Sequence, residues 1–258
     1  MYQDGLTIAI PTWNHEVFLP RAVRSALEAA RMVRTAGTQA EVMVVDDASR
    51  DGTHSLLRQL EARYYKDGLR VRIHPSNLRV GSARNTALRE ASYRYILFLD
   101  ADNEIIGANV SLFLQAIRDT SAAVVYGSLL VRKLGSPRVY DLISHGSFQN
   151  RVFDENHIDA LALVDRPQII DVGGYTSEWL NWEDWELWAR LACNGRRIVF
   201  MPVALGYYHI LPGSMLRGMK NQDEMLSRMR RTFNQTGFRS HLRTRTNHLR
   251  YHPALGYL

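Results

Sequence analysis

Cysteine is almost absent from this 258-residue chain. Cys193 is the only one, so no intrachain disulfide can form, cysteine-based zinc sites are excluded, and an oxidising compartment is not required. Long apolar runs are missing too: nothing approaches the roughly 18 residues of a membrane span, and Met1-Tyr2-Gln3-Asp4-Gly5 lacks the basic and apolar regions of a secretion signal. The sequence reads as cytoplasmic. No motif for reading nucleic acid accompanies the basic pI, so no nucleic-acid partner is expected. The net charge of +6 is unevenly placed, because residues from Arg217 onward carry nine Lys and Arg against Asp223 and Glu224, while the remainder is close to neutral. Such a tail is read as a solvated helical segment, with peripheral contact to the inner face of an anionic membrane, or self-association, as its further options.

What is present is an α/β pattern. Short β-rich runs at Leu6 to Ile10, Glu41 to Val45, Leu69 to His74, the segment ending at Asp100, and Ala122 to Val131 alternate with helical stripes. One stripe runs from Pro20 to about Arg34 with Val23, Ala26, Leu27 and Ala30; another carries Leu56, Leu57 and Leu60; a third follows Gly81 through Ala83, Ala87, Leu88 and Ala91. Later, Ile158 to Val164, Ile198 to Met201 and Ala204 to His209 read as strands around a helix at Asp184 to Asn194. The expectation is one domain over residues 1–216, about 1–130 serving a nucleotide and 131–216 another substrate, followed by the tail at 217–258. Its sheet should be mostly parallel with helices on its faces.

The apolar run Ile96-Leu97-Phe98-Leu99 stops on Asp100-Ala101-Asp102. Two hard oxygen ligands at a strand end suit Mg2+ or Mn2+ holding a diphosphate, although such a pair taken alone could equally start a turn and cap the next helix. In an open α/β sheet, ligands bind beyond the carboxyl ends of the strands. Those ends deliver Pro11-Thr12-Trp13-Asn14, Asp46-Asp47, and Asp100 with Asp102, and four carboxylates converging on one edge call for a cation.

The segments Ile8-Ala9-Ile10-Pro11-Thr12-Trp13-Asn14, Val44-Val45-Asp46-Asp47-Ala48-Ser49-Arg50-Asp51-Gly52-Thr53, Gly81-Ser82-Ala83-Arg84-Asn85 and Asp100-Ala101-Asp102 together resemble the family 2 glycosyltransferases of GT-A fold. With the later segments below, the likeness covers about residues 5–217. It implies an inverting, metal-dependent enzyme that moves a sugar from a nucleoside diphosphate sugar, most simply a UDP-sugar, to a hydroxyl on a glycan or lipid-linked acceptor in polysaccharide biosynthesis. Asp47 would accept a hydrogen bond from the base, whose ring N–H a carboxylate complements. Pro11 and Thr12 would meet the base through their backbone, with Asn14 and Ala101 nearby. Asp46 would brace its turn or reach the sugar-phosphate, and Arg84 would be a fixed cation beside the nucleotide. Asp102 would contact the metal and Asp100 the ribose.

The stretch Trp179-Leu180-Asn181-Trp182-Glu183-Asp184-Trp185-Glu186-Leu187-Trp188 is similar to the family's acceptor-site motif. By that likeness Asp184 is the general base for the acceptor hydroxyl and Glu183 its understudy; among indole rings such a carboxylate should be desolvated and more basic. Trp179 and Trp182 offer flat faces to a sugar, while Trp185 and Trp188 fit a core role. His209, in Tyr207-Tyr208-His209, would join Asp102 at the metal, and Arg217 would close over the diphosphate.

Two rivals remain at this stage. A haloacid-dehalogenase-like phosphohydrolase would use Asp100 as nucleophile, but Glu104 stands where that motif expects Thr or Val. A nucleotide-sugar-binding protein without turnover would leave Asp184 without a role. A dinucleotide-binding enzyme is excluded by the lack of G-x-G-x-x-G after the first strand.

Overall fold

The computed structural model describes residues 2–144, 146, 156–178 and 182–211, together with a short antiparallel pairing of Tyr251–His252 with Gly256–Tyr257. Those last four residues are extended rather than helical; the rest of the basic tail, including Arg217, lies outside the described residues, as does Trp179.

The first half is built from β1 (Gln3–Thr12), β2 (Ala40–Asp46), β3 (Leu69–Ile73) and β4 (Tyr93–Phe98), linked by α1 (Leu19–Thr35), α2 (Thr53–Tyr64) and α3 (Val80–Glu90). These strands pair in parallel in the order β3-β2-β1-β4. β2 is buried at every position, as expected for a strand covered on both faces. Along β1, Ile8 and Ile10 enter the core beneath α1, while the intervening Ala9 packs on the opposite side with Ala83, Ala87 and Phe98. Pro20 sits in the first turn of α1, where its missing N–H has no intrahelical partner to lose, and Ala22, Val23, Ala26, Ala29, Ala30 and Val33 form the buried stripe.

The second half comprises β5 (Glu104–Ile105), α4 (Val110–Thr120), β6 (Val124–Lys133), β7 (Val139–Ile143), β8 (Leu163–Asp165), α5 (Arg166–Asp171), α6 (Glu183–Cys193) and β9 (Ile198–Ile210). The sheet continues β4-β8-β6-β9-β5, with β7 on β6. β8 runs antiparallel to both β4 and β6, and β9 runs parallel to β6.

Two sequence expectations change here. The strand expected from Ile158 shrinks to Leu163–Asp165 because the Asp159 carboxylate accepts the Leu161 N–H at 2.9 Å, a side-chain turn that competes with sheet pairing. The two strands expected around residue 202 are one, β9, whose register on β6 jumps from Met201 to Ala204. Pro202 has no N–H for the ladder, so the chain bulges there and resumes.

The halves are joined closely. Gly81 lies against the Thr176 carbonyl so tightly that a Cβ would collide with it, and the Asn85 amide donates to the Tyr175 carbonyl at 2.7 Å while accepting the Tyr175 N–H at 2.8 Å. The buried Arg166 guanidinium closes the C-terminal end of α3 by donating to the carbonyls of Leu88, Arg89 and Ala91.

Candidate active site

The loops after β1 and β2 hold each other in place. Asp47 follows the end of β2, its N–H donating to the Thr12 carbonyl at 2.9 Å. Its Oδ1 accepts the Leu78 N–H at 2.8 Å and meets His74 Nδ1 at 2.8 Å, while His74 Nε2 faces Thr86 Oγ1 at 2.9 Å. Asp47 is therefore a fixed acceptor whose orientation depends on His74, a residue with no sequence signal beyond its place at the end of a strand. Pro11 and Thr12 are buried beside it, leaving their backbone as the part able to meet a ligand.

Asp46 and Asn14 are held by their own loops. Asp46 is fully enclosed, and its Oδ1 accepts both the backbone N–H of Ser49 at 3.1 Å and the Ser49 hydroxyl at 2.5 Å, which is the turn-bracing one of its two expected roles. Asn14, in the left-handed region at φ 58°, accepts the Arg50 N–H through its carboxamide oxygen at 2.7 Å and donates its own N–H to Ser49 Oγ at 2.8 Å. It is a clasp between two loops.

Beyond β4, the Asp100 side chain is 34% exposed and pairs with Arg84 at 2.9 Å. Asp102 is pushed up to about 7 by burial and then by the charge of Asp100. Ala101 between them is buried, so only its backbone can serve a ligand. The loop is pinned from below: Arg21 donates to the Asp102 carbonyl at 2.6 Å, and Asn103 accepts the His209 N–H at 3.0 Å.

Arg84 is a fixed cation, held by two carboxylates. Its side chain is 3% exposed, with Nη2 on Asp100 and Nη1 on Glu183, while its guanidinium stacks over the Tyr175 ring at 5.4 Å. The residue spans from the metal-type pair to the first turn of α6. Glu183 is thereby held in a buried ion pair with Arg84. Asp184 is different. Burial first, and then the charge of Glu183, raise its carboxyl well above the usual range, while its Oδ1 accepts the Trp185 N–H at 2.8 Å.

Around this carboxylate the indoles are core. Trp185 and Trp188 are enclosed, Trp188 Nε1 donates to the Ile158 carbonyl at 3.0 Å, and Trp182 sits edge-on to Trp185 at 5.3 Å. Trp182, expected as a sugar platform, is buried among these rings and presents little face to an acceptor. Two residues that the sequence did not mark also belong to the cleft: Asp159, raised to about 7 by burial and then by Asp100, and Tyr208, raised by burial and then by Asp159 and Asp102.

His209 is the residue that decides whether the site suits a divalent cation. Its Nε2 faces Glu104 Oε2 at 2.7 Å, which assigns the proton to Nε2 and leaves Nδ1 as a buried lone pair without a partner. Burial, and then the charge of Arg21, lower its pKa, so the ring is neutral at pH 7. Among the described residues no three His, Cys, Asp or Glu side chains stand gathered as a cage. One carboxylate, a neutral imidazole and substrate phosphate oxygens form the donor set that Mg2+ and Mn2+ commonly take. The residues fit such an ion.

Residues 7–168, well over half of the chain, match the family model described as Glycosyl transferase family 2. The chain belongs to that family. Family 2 relatives include the GalNAc(5)-diNAcBac-PP-undecaprenol beta-1,3-glucosyltransferase of Campylobacter jejuni, 29% identical over 134 residues, 51% of this chain and 40% of that protein. The succinoglycan biosynthesis protein ExoU of Rhizobium meliloti is 28% identical over 229 residues, 82% of this chain and 63% of that protein. The chain thus spans less than two thirds of the length of either relative. Its fold is GT-A: the TarS 1–349 structure from S. aureus in complex with UDP-GlcNAc superposes with a TM-score of 0.70 at 19% identity, over 93% of this chain and 68% of that one. The mannosyltransferase PcManGT from Pyrobaculum calidifontis, in complex with GDP-Man and Mn2+, gives 0.68 at 19% identity, over 92% and 66%.

Proposed function

We propose that this family 2 chain is an inverting, metal-dependent glycosyltransferase that moves a sugar from a nucleoside diphosphate sugar, a UDP-sugar in the simplest case, to a hydroxyl acceptor. The observation that carries the reading is one cleft in which Arg84 ties the Asp100–Asp102 end of β4 to the start of α6, where Asp184 is left basic while Glu183 is ion-paired.

In this reading Asp47, oriented by His74 and the Leu78 N–H, accepts the ring N–H of the base, and Asp100 meets the ribose. Asp102 and the Nδ1 lone pair of His209 would hold Mn2+ or Mg2+, which when bound offsets the charge of the departing diphosphate. Asp184 takes the proton of the acceptor hydroxyl as its oxygen bonds to the anomeric carbon. The bond from that carbon to the diphosphate oxygen breaks on the opposite face and its electron pair leaves with the diphosphate, so configuration inverts and no covalent intermediate forms. Arg84 holds Glu183 in its ion pair. A lipid-linked or growing-glycan acceptor is supported by the names of the Campylobacter and Rhizobium relatives. Among the described residues no helix is long and apolar enough to cross a membrane. The basic tail is the segment of this chain suited to contact an anionic membrane surface that carries a lipid-linked acceptor.

The phosphohydrolase reading gains no support, since residues 7–168 match the family 2 model. Calorimetric titration of UDP, GDP and dTDP with and without Mn2+ tests the proposal. Tight, metal-dependent binding of one of them is the expected result, and no binding under any condition would remove it.

A further inference from the structure

Asp159 has no part in the transfer steps above, yet the fold carries it into the same cleft. β8 runs antiparallel to β4 with Leu97 opposite Leu163, and the Phe98 N–H donates to the Ala162 carbonyl at 3.3 Å. Before that pair the ladder gives way to the turn closed by Asp159 and Leu161, so the residues before β8 leave the sheet at the edge where Asp100 to Asp102 follow β4, and the charge of Asp100 acts on Asp159. On its other side, the Ile158 carbonyl accepts the indole N–H of Trp188 at 3.0 Å, which fastens this segment to α6, the helix that begins at Glu183 and Asp184. Asp159 is therefore set between the diphosphate end of the cleft and the base.

Its placement is rigid. The Asp159 N–H donates to Ser144 Oγ at 2.8 Å, and its Oδ1 accepts the Leu161 N–H at 2.9 Å. Oδ2 has no hydrogen-bond partner among the described residues, and it is not one of the fully enclosed, unpaired side-chain atoms. One oxygen thus fixes the turn and the other is left without a partner among the described residues.

In a nucleoside diphosphate sugar, the part lying between the diphosphate and the attacked carbon's acceptor side is the sugar ring itself. Ring hydroxyls donate and accept, and a carboxyl offers acceptor oxygens in either protonation state, so the two match. A pocket that hydrogen-bonds a hydroxyl rejects an epimer that points it elsewhere far more strongly than an apolar pocket does. We propose that Asp159 grips hydroxyls of the transferred sugar and sets which sugar the site accepts, an inference that rests on the nucleotide-sugar reading. A turn-cap role alone would account for Oδ1 and leave Oδ2 unexplained.

The test is calorimetry on the parent and on Asp159→Asn, which keeps the Oδ1 acceptor for Leu161. UDP and GDP are titrated with Mn2+, then UDP-glucose, UDP-galactose, UDP-N-acetylglucosamine and GDP-mannose. The expected result is an unchanged diphosphate affinity, within about twofold, with a loss of about tenfold or more for the preferred nucleotide sugar and a narrower spread among sugars. Diphosphate and sugar affinities falling together would assign Asp159 to the metal or nucleotide and overturn the proposal. Identical profiles for both proteins would reduce it to a turn cap. A parent that binds neither diphosphates nor nucleotide sugars would remove the transferase reading along with this one, a result distinct from the other two. Where Asp159→Asn does not fold, Asp159→Ser still accepts the Leu161 N–H and carries the same readouts.

Discussion

The two sides of the cleft use the same residue type in opposite ways. On the side of β1 and β2, Asp46 and Asp47 face backbone N–H groups and a histidine, and each has a neighbour that defines its direction. Across the cleft Asp102 lies under the charge of Asp100, Asp159 under those of Asp100 and Asp102, and Asp184 under those of Glu183 and Asp159; Arg21 offsets the first and Arg84 the other two, and burial raises all three. Carboxylates solvated by N–H groups give shape; carboxylates deprived of water beside like charges are basic and attract cations. The first arrangement recognises; the second holds the groups assigned to the metal and to the proton, with Asp159 beside them assigned to the sugar.

The largest effect should come from removing the most reactive member of the second group. Asp184→Asn is isosteric and keeps the acceptor for the Trp185 N–H, so the fold should hold while transfer falls by about 10²- to 10⁴-fold, the range of a lost general base. Donor affinity should stay within a few-fold. Product formation measured beside nucleotide binding separates the two, and normal turnover would return the base to Glu183 or to water.

Arg84 is the point at which the comparison can be broken structurally. Arg84→Met leaves Glu183 buried without a partner and releases Asp100, and breaking a buried pair in this way costs about 3–5 kcal/mol. A thermal or denaturant melt should register that loss. If the midpoint is unchanged, the guanidinium is not the strut between the two sides. Arg84→Lys should recover part of the stability but not both contacts, since an ammonium lacks the two-pronged geometry.

Much of this division was legible in the chain before its shape was known. The strand ends, the stripe of α1 and the acidic pair after β4 follow from periodicity and from the places where apolar runs stop. What sequence could not show is which atoms the polar residues find. Asn14 and Asp46 stand at the right strand ends for a nucleotide, but nearby N–H groups claim them, because an unpaired N–H in a tight turn is costly and a short side chain is close at hand. Arg84 sits at a helix start like many surface arginines; the end of β4 gives it one partner 16 residues away, and only the second half, through the first turn of α6, gives it the other, 99 residues away. Asp159 was hidden inside an apolar run that read as continuous strand. The bulge at Pro202 and the turn at Leu161 are places where one missing or one diverted N–H decides the pairing.

The comparison can also be sharpened by pH. Asp102 and Asp159 are pushed up to about 7 in the folded protein, whereas an unfolded chain would lose those protons near pH 4. Between these limits the folded state holds more protons than the unfolded one, so these two groups make stability fall as pH rises through that window, with the loss complete above about 7. Mn2+ needs the ionised carboxylate and should remove the penalty. The gain in melting temperature on adding Mn2+ is therefore expected to be small at pH 5 and to grow toward pH 8, and Asp102→Asn should flatten that dependence. A gain that is the same at both pH values would mean that the ion binds elsewhere.

The smallest effect belongs to the recognising side. Asn14→Ala removes one acceptor for the Arg50 N–H on an exposed loop and replaces a residue that tolerates the left-handed region with one that does not. The loss in stability should be about 1 kcal/mol. Because Asn14 holds the loop after β1 to the loop after β2, nucleotide affinity should weaken several-fold without a change in the rate of transfer at saturating donor. Asn14→Gly relieves the backbone strain but still lacks the carboxamide, so it isolates the clasp from the conformation. If both variants bind the nucleotide as the parent does, the loops are held by Asp47 and His74 alone, and the recognising side is more rigid than its hydrogen bonds to Asn14 require.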